Sequence, residues 1–84
     1  MPEISRFYGI AISIYFKMRE HNPPHFHATY GDYEAEYRID TLELLEGSLP
    51  KTADSLVKEW ATLHRDKLLD IWNTQIFTKI EPLE

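Results

Sequence analysis

Two histidines, His25 and His27, lie at alternate positions in residues 25–30, a short run that favours a β-strand. On a strand, residues two apart point to the same face, with about 7 Å between their Cβ atoms. Two imidazoles at that spacing can share a divalent metal ion such as zinc. His21, shortly before them, is a candidate third ligand. A metal site formed by these three histidines is therefore one interpretation of the pattern.

The same histidines could work without a metal, because imidazole titrates near neutral pH. One ring could then act as a general base and the other as a general acid. Arg38 would hold an anion beside His25 through charge-assisted hydrogen bonds. A hydroxyl group could come from Ser13, Tyr15 or Thr29. A plainer interpretation stays open as well, since histidines also occur on exposed strand faces without any function.

A tight turn at Gly31-Asp32 separates two segments that resemble strands, 25–30 and 33–39. Glycine at the first central position suits a type II′ turn, and a two-residue turn fixes which residues face one another. In that register His27 lies opposite Glu36. The sequence thus predicts a β-hairpin with a defined pairing.

The two faces of this hairpin differ sharply in polarity. A slip of one residue in the pairing would mix them, which is the main reason to expect this register. The polar face collects His25, His27, Thr29, Glu34, Glu36 and Arg38. Glu34 or Glu36 could therefore add a carboxylate to a metal site, and Thr29 is a candidate binding residue beside it.

Residues 8–16 alternate with period two, which predicts a further strand. A short fourth strand is predicted at 41–46, and an amphipathic helix from Lys51. The helical pattern continues through Trp72 to Ile76, which is too far for one straight helix in so small a domain, so we expect a bend between Leu63 and Asp66. Strands followed by helices favour the α+β class, here an antiparallel three- to four-stranded sheet followed by two helices packed on one face. The helices are expected to cover Ile10, Ile12, Ile14, Phe26, Tyr37 and Ile39.

The chain has 84 residues, which predicts a single domain spanning residues 1–84. Its formal net charge of −5 argues against binding of free nucleic acid, because phosphate neutralisation needs a basic surface. It has no cysteine, which excludes a disulfide scaffold and a thiolate metal site. It contains no apolar run long enough to span a membrane, and its first residues lack a signal-peptide pattern. We therefore expect a cytoplasmic protein.

Residues 21–27 read His-Asn-Pro-Pro-His-Phe-His, and residues 30–35 read Tyr-Gly-Asp-Tyr-Glu-Ala. With the segments 1–7, 45–50 and 79–83, these motifs resemble a prokaryotic family of small proteins, the domain-of-unknown-function family 4160. The resemblance covers nearly the whole chain. It implies a short bacterial or archaeal protein that is often encoded beside a second small protein, a layout similar to a toxin–antitoxin pair. It carries no catalytic residue over to this chain.

Three functions remain open from the sequence. The first is a component of a toxin–antitoxin-like module that acts through the small protein partner encoded nearby, with a homo-oligomer as a further option. The second is a small histidine- or metal-dependent hydrolase, including a ribonuclease, with His25, His27 and Arg38 as its catalytic residues. The third is a metal-binding or pH-responsive regulator without catalysis. Whether the chain is an enzyme is not decided by these residues.

Overall fold

The computed structural model describes residues 3–15 and 23–83, and it consists of an antiparallel sheet followed by two helices. Each strand pairs with its neighbour in chain order. The strands are β1 (Glu3–Phe7), β2 (Ile10–Ser13), β3 (His25–Tyr30), β4 (Tyr33–Arg38) and β5 (Leu44–Ser48), and the helices are α1 (Lys51–Leu63) and α2 (Arg65–Thr74). The α+β class is therefore confirmed, but within the described residues the sheet has five strands and not the predicted three or four.

The strand predicted at 8–16 begins as a turn and continues as β2. Tyr8 and Gly9 have positive φ angles of 51° and 79°, and the flanking strands pair directly across them. Two central residues with positive φ form the type I′ turn that joins adjacent antiparallel strands. The segment before the turn therefore pairs with β2 as an additional strand, β1. Phe16, at the end of the predicted strand, lies outside the described residues.

The hairpin of β3 and β4 has the register predicted from its turn. Gly31, at φ +59°, opens a two-residue loop between the strands. His27 lies opposite Glu36, and His25 lies opposite Arg38. The polar side chains of the hairpin are thereby gathered on one side of the sheet.

The predicted fourth strand lies further along the chain than expected, at Leu44–Ser48 instead of 41–46. Its pairing with β4 shifts register between Glu36 and Tyr37, which leaves Leu45 as the extra residue of a β-bulge. The bulge allows Glu46 to pair with Glu36. A second irregularity follows at Gly47, whose φ is +73°.

Gly47 is required by a close approach of two backbones. A Cβ atom at this position would lie 2.1 Å from the carbonyl oxygen of Glu34. We expect Gly47→Ala to lower the free energy of unfolding by about 2–4 kcal/mol, because it adds this overlap to an unfavourable φ. Urea denaturation measures the loss.

The matched control is Gly31→Ala, since Gly31 also has positive φ but would place its Cβ in open space. Its cost should come from backbone conformation alone, about 1–2 kcal/mol. Equal losses for the two variants would contradict the close approach at Gly47.

The hydrophobic core lies between one face of the sheet and the two helices. Trp60 of α1 is fully buried, and its ring centroid lies 5.5 Å from that of Phe7 and 6.1 Å from that of Phe26. Its indole N–H donates to the carbonyl oxygen of Glu81 at 2.8 Å. All the positions predicted to face the helices are buried, namely Ile10, Ile12, Ile14, Phe26, Tyr37 and Ile39.

The two helices are separated only by His64, within the predicted interval. α2 ends at Thr74, because Gln75 takes a left-handed conformation with φ 59°. The predicted helix therefore extends too far. Its apolar pattern continues to Ile76, but this residue lies beyond α2 and is exposed. Neither α1 nor α2, the helices of the described residues, has the length and apolar character needed to cross a membrane.

Candidate metal site on the sheet

His25 is the first residue of β3, and the segment before the strand holds its ring. Pro23 and Pro24 restrict the backbone that leads into the strand. The Nδ1–H group of His25 donates to the carbonyl oxygen of Pro23 at 3.0 Å. Because a carbonyl oxygen can only accept, this bond keeps a proton on Nδ1 and, in the neutral ring, leaves the lone pair of Nε2 for another partner. Hydrogen bonds of this kind orient histidine ligands in metal sites.

Three potential ligand atoms converge beside that nitrogen. Glu36 Oε1 lies 3.6 Å from His25 Nε2 and 4.0 Å from His27 Nε2. One donor atom from each of the three residues lies within 4.8 Å of the others. His25 is 6% exposed, and the His27 side chain is 12% exposed. The candidate ligands are therefore largely shielded from bulk water.

The strand register explains why these side chains meet. His27 pairs with Ser13 of β2 and with Glu36 of β4, and Glu36 pairs in turn with Glu46 of β5. Facing residues of antiparallel strands share one side of the sheet, with Cβ atoms about 4.5–5.5 Å apart. His25 lies two residues before His27 and thus on the same side. The ligand set follows directly from the pairing of β3 and β4.

Two aromatic side chains flank the imidazoles. The Tyr15 ring meets the His27 ring edge to face, with centroids 4.2 Å apart and an interplanar angle of 88°. Trp72 of α2 lies on the other side, with its ring centroid 5.1 Å from that of His25. These contacts restrict rotation of both imidazoles.

The site concentrates carboxyl groups. Burial raises the pKa of the Glu36 carboxyl, and a hydrogen bond with Glu46 raises it further, while His25 acts in the opposite direction. Glu34 Oε2 lies 3.6 Å from His27 Nδ1 and adds another negative group. Burial and the charge of Glu34 also raise the pKa of the Tyr15 phenol. A cation among these groups would offset their mutual repulsion.

The distances fit a metal ion with small adjustments. Zinc holds histidine nitrogens and carboxylate oxygens at about 2.0–2.2 Å, which in a tetrahedron puts the donor atoms roughly 3.3–3.5 Å apart. The two nitrogen–oxygen separations of 3.6 and 4.0 Å exceed this by only a fraction of an ångström, and the three donor atoms as a set lie within 4.8 Å of one another, so the two imidazoles would have to move closer together. Three protein ligands would leave at least one coordination position open, as in catalytic zinc sites.

Comparison with protein families gives a match to a family described as domain of unknown function (DUF4160), over residues 9–73. The chain belongs to this family. The matched residues include β2, β3, β4 and β5 and all three candidate ligands. Comparisons with curated proteins and with solved structures give no match.

Of the other predicted site residues of this DUF4160 chain, Arg38 and Thr29 lie near the two histidines. Arg38 is opposite His25, but its guanidinium donates to both carboxylate oxygens of Asp40, at 2.5 and 3.1 Å. Thr29 pairs with Glu34, one position further along the same face, and is half-buried. His21 lies outside the described residues, so its part as a ligand stays a prediction.

Two neighbours of the candidate site were not expected there. From the sequence, Glu46 is expected to be exposed to solvent, and Trp72 is expected to face the hydrophobic core from a helix. The bulge at Leu45 instead brings Glu46 beside Glu36. Gly47 is the one sequence feature that marks an irregular strand there, because isolated glycines in strands often accompany bulges.

A shallow depression adjoins the ligands and provides room for a small molecule. Its volume is about 210 Å³. Its lining consists of Pro23, His25, Glu36, Leu45 and Glu46. The two histidine rings have centroids 5.3 Å apart. Both chemistries that the sequence leaves open, metal binding and acid–base transfer, could act on a ligand in this depression.

Proposed function

We propose that this DUF4160 chain is a divalent-metal protein whose ion is held by His25, His27 and Glu36. One observation carries the proposal. Two imidazoles converge on a single carboxylate oxygen, and the hydrogen bond from His25 Nδ1 to Pro23 aims the other ring nitrogen at that oxygen.

A purely structural role for the cluster fits the distances less well. Hydrogen bonds between nitrogen and oxygen atoms are about 2.7–3.2 Å long. Glu36 Oε1 is 3.6 and 4.0 Å from the two imidazoles, too far for a hydrogen bond to either. The gap is instead close to the separation of two ligands on one ion. A metal therefore accounts for the spacing better than histidine–carboxylate hydrogen bonds do.

The ligand set also favours a reaction class. Two histidines and one carboxylate occur in zinc hydrolases and in non-haem iron sites, where positions stay open for water or substrate. Zinc supplies a nucleophile there by lowering the pKa of its bound water. We therefore favour a small metal-dependent hydrolase over a non-catalytic metal-binding regulator.

Zinc stoichiometry tests the proposal. Protein purified without a histidine tag is stripped with a chelator, dialysed against micromolar zinc and analysed for the element. We expect one tightly held ion per chain, and none in a His25→Ala/His27→Ala double variant that retains its circular dichroism spectrum. Stripped protein that takes up no zinc would end the proposal.

A protein partner is the second candidate function, and one observation favours it. All of β5 is exposed, and Leu44 and Leu45 remain 44% and 41% exposed at this edge of the sheet. The opposite edge differs, since the Ile80 N–H donates to the carbonyl oxygen of Ile4 in β1. An open edge with apolar side chains suits a component of a toxin–antitoxin-like module that acts through a small partner.

Co-expression tests this second function. The chain and the small protein encoded beside it should elute together at micromolar concentration, and Leu44→Glu/Leu45→Glu should separate them. Separate elution of the unaltered pair would remove the support for a toxin–antitoxin-like role.

A further inference from the structure

We infer that the ligand taken by the metal site is a small uncharged group with a free lone pair, because the carboxylates around the site repel anions. The inference rests on the proposed metal function and specifies what the open coordination position accepts. We then expect phosphate esters, including the backbone of RNA, to bind poorly there.

Carboxyl groups surround the site. Glu36 belongs to the ligand set, and Glu46 lies directly opposite it on β5. Glu34 Oε2 lies 3.6 Å from His27 Nδ1 on the other flank. A divalent ion among these carboxyl groups retains no net positive charge. An incoming anion would meet repulsion there and no excess of positive charge.

The basic side chain near the site, Arg38, is bound to another residue. In the described parts of the chain, residues 3–15 and 23–83, the basic residue directly opposite a candidate ligand is Arg38, which faces His25 across the hairpin. Its guanidinium is bound by Asp40 through two hydrogen bonds. Enzymes that bind phosphate usually offer arginine or lysine for that purpose. Arg38 is engaged elsewhere, so the described face lacks this element.

The depression beside the ligands is small and partly apolar. Its volume of about 210 Å³ is below the range of roughly 300–1,000 Å³ found for drug-sized ligands. Pro23 and Leu45 supply apolar walls, and Glu46 supplies an acceptor. This space fits one small group that carries a nitrogen donor, such as an amine, an amide or an imidazole.

The experiment compares two probes on the same metal-loaded protein. Cobalt(II) replaces zinc and reports on its own coordination through its visible spectrum. Imidazole, largely uncharged at pH 8, and inorganic phosphate are titrated separately at constant ionic strength. Elemental analysis after each titration verifies that cobalt is still bound. We expect imidazole to change the spectrum at concentrations at least tenfold lower than phosphate.

A double variant, Glu34→Gln/Glu46→Gln, tests the cause. Each carboxylate a few ångströms from the ion changes the affinity of a singly charged anion by roughly tenfold. The variant should therefore bind phosphate more tightly while its response to imidazole changes little. Glu59→Gln is the control, because Glu59 is an exposed carboxylate on α1, away from the site.

The outcomes separate the two proposals. Protein that binds no cobalt would overturn both the metal function and this inference. Protein that binds cobalt but responds to phosphate as readily as to imidazole would overturn the inference and leave the metal site standing. Tight binding of a single-stranded RNA oligonucleotide to the cobalt-loaded protein would overturn it as well.

Discussion

Alanine at His27 should weaken zinc binding by at least a hundredfold. His27 contributes one of three converging donors, and its ring is fixed between Tyr15 and the Glu34 and Glu36 carboxylates. Loss of residues that merely support a ligand already costs about 10–100-fold in affinity, so loss of a ligand itself should cost more. Isothermal titration calorimetry of chelator-treated protein with zinc measures the change.

Two further variants define the role of each group. Glu36→Gln keeps the shape of the side chain and removes its charge, so it should also weaken binding strongly. His64→Gln is the matched histidine control, because His64 lies between the two helices and outside the cluster. Zinc binding that is insensitive to His27→Ala, or equally sensitive to His64→Gln, would place the ion elsewhere.

The second large effect concerns the core. Trp60→Ala should lower the free energy of unfolding by about 3–5 kcal/mol, the usual cost of removing a buried tryptophan. Trp60 is fully buried between the rings of Phe7 and Phe26 and donates to the Glu81 carbonyl oxygen. A chain of this length has a total stability of roughly 4–13 kcal/mol, so the loss is a substantial part of the total. Urea denaturation at 25 °C measures the loss.

The other tryptophan provides the control for this prediction. Trp72 is half-buried and contacts His25 at the edge of the core, so Trp72→Phe should cost much less. Zinc should raise the unfolding midpoint of both variants, because an ion bound only by the folded chain stabilises it. A loss below about 1 kcal/mol for Trp60→Ala would contradict the packing of α1 on the sheet.

The part of the site that could be predicted from sequence is the part fixed by local geometry. The Gly31-Asp32 turn sets the pairing of β3 with β4, and alternation then assigns each side chain to a face. His27 opposite Glu36 follows from those two facts alone. The buried positions that face the helices follow in the same way, from period-two patterns on one side and helical spacing on the other.

The rest depends on irregular backbone that composition does not reveal. Tyr8 adopts φ 51°, which is uncommon for a residue other than glycine, and the turn it forms creates β1. The bulge at Leu45 interrupts the alternation of faces along β5, so the alternating pattern alone does not predict on which face of the sheet Glu46 lies. Trp72 contacts His25 from α2, beyond the break at His64, and the direction that a helix takes after such a break is set by packing.

Anomalous diffraction at the zinc edge, from crystals grown with zinc, tests the metal site most directly. We expect one zinc peak about 2.0–2.2 Å from His25 Nε2, from an imidazole nitrogen of His27 and from a carboxylate oxygen of Glu36. No peak among these three side chains, or a fully occupied zinc ion bound only elsewhere on the chain, would contradict the site.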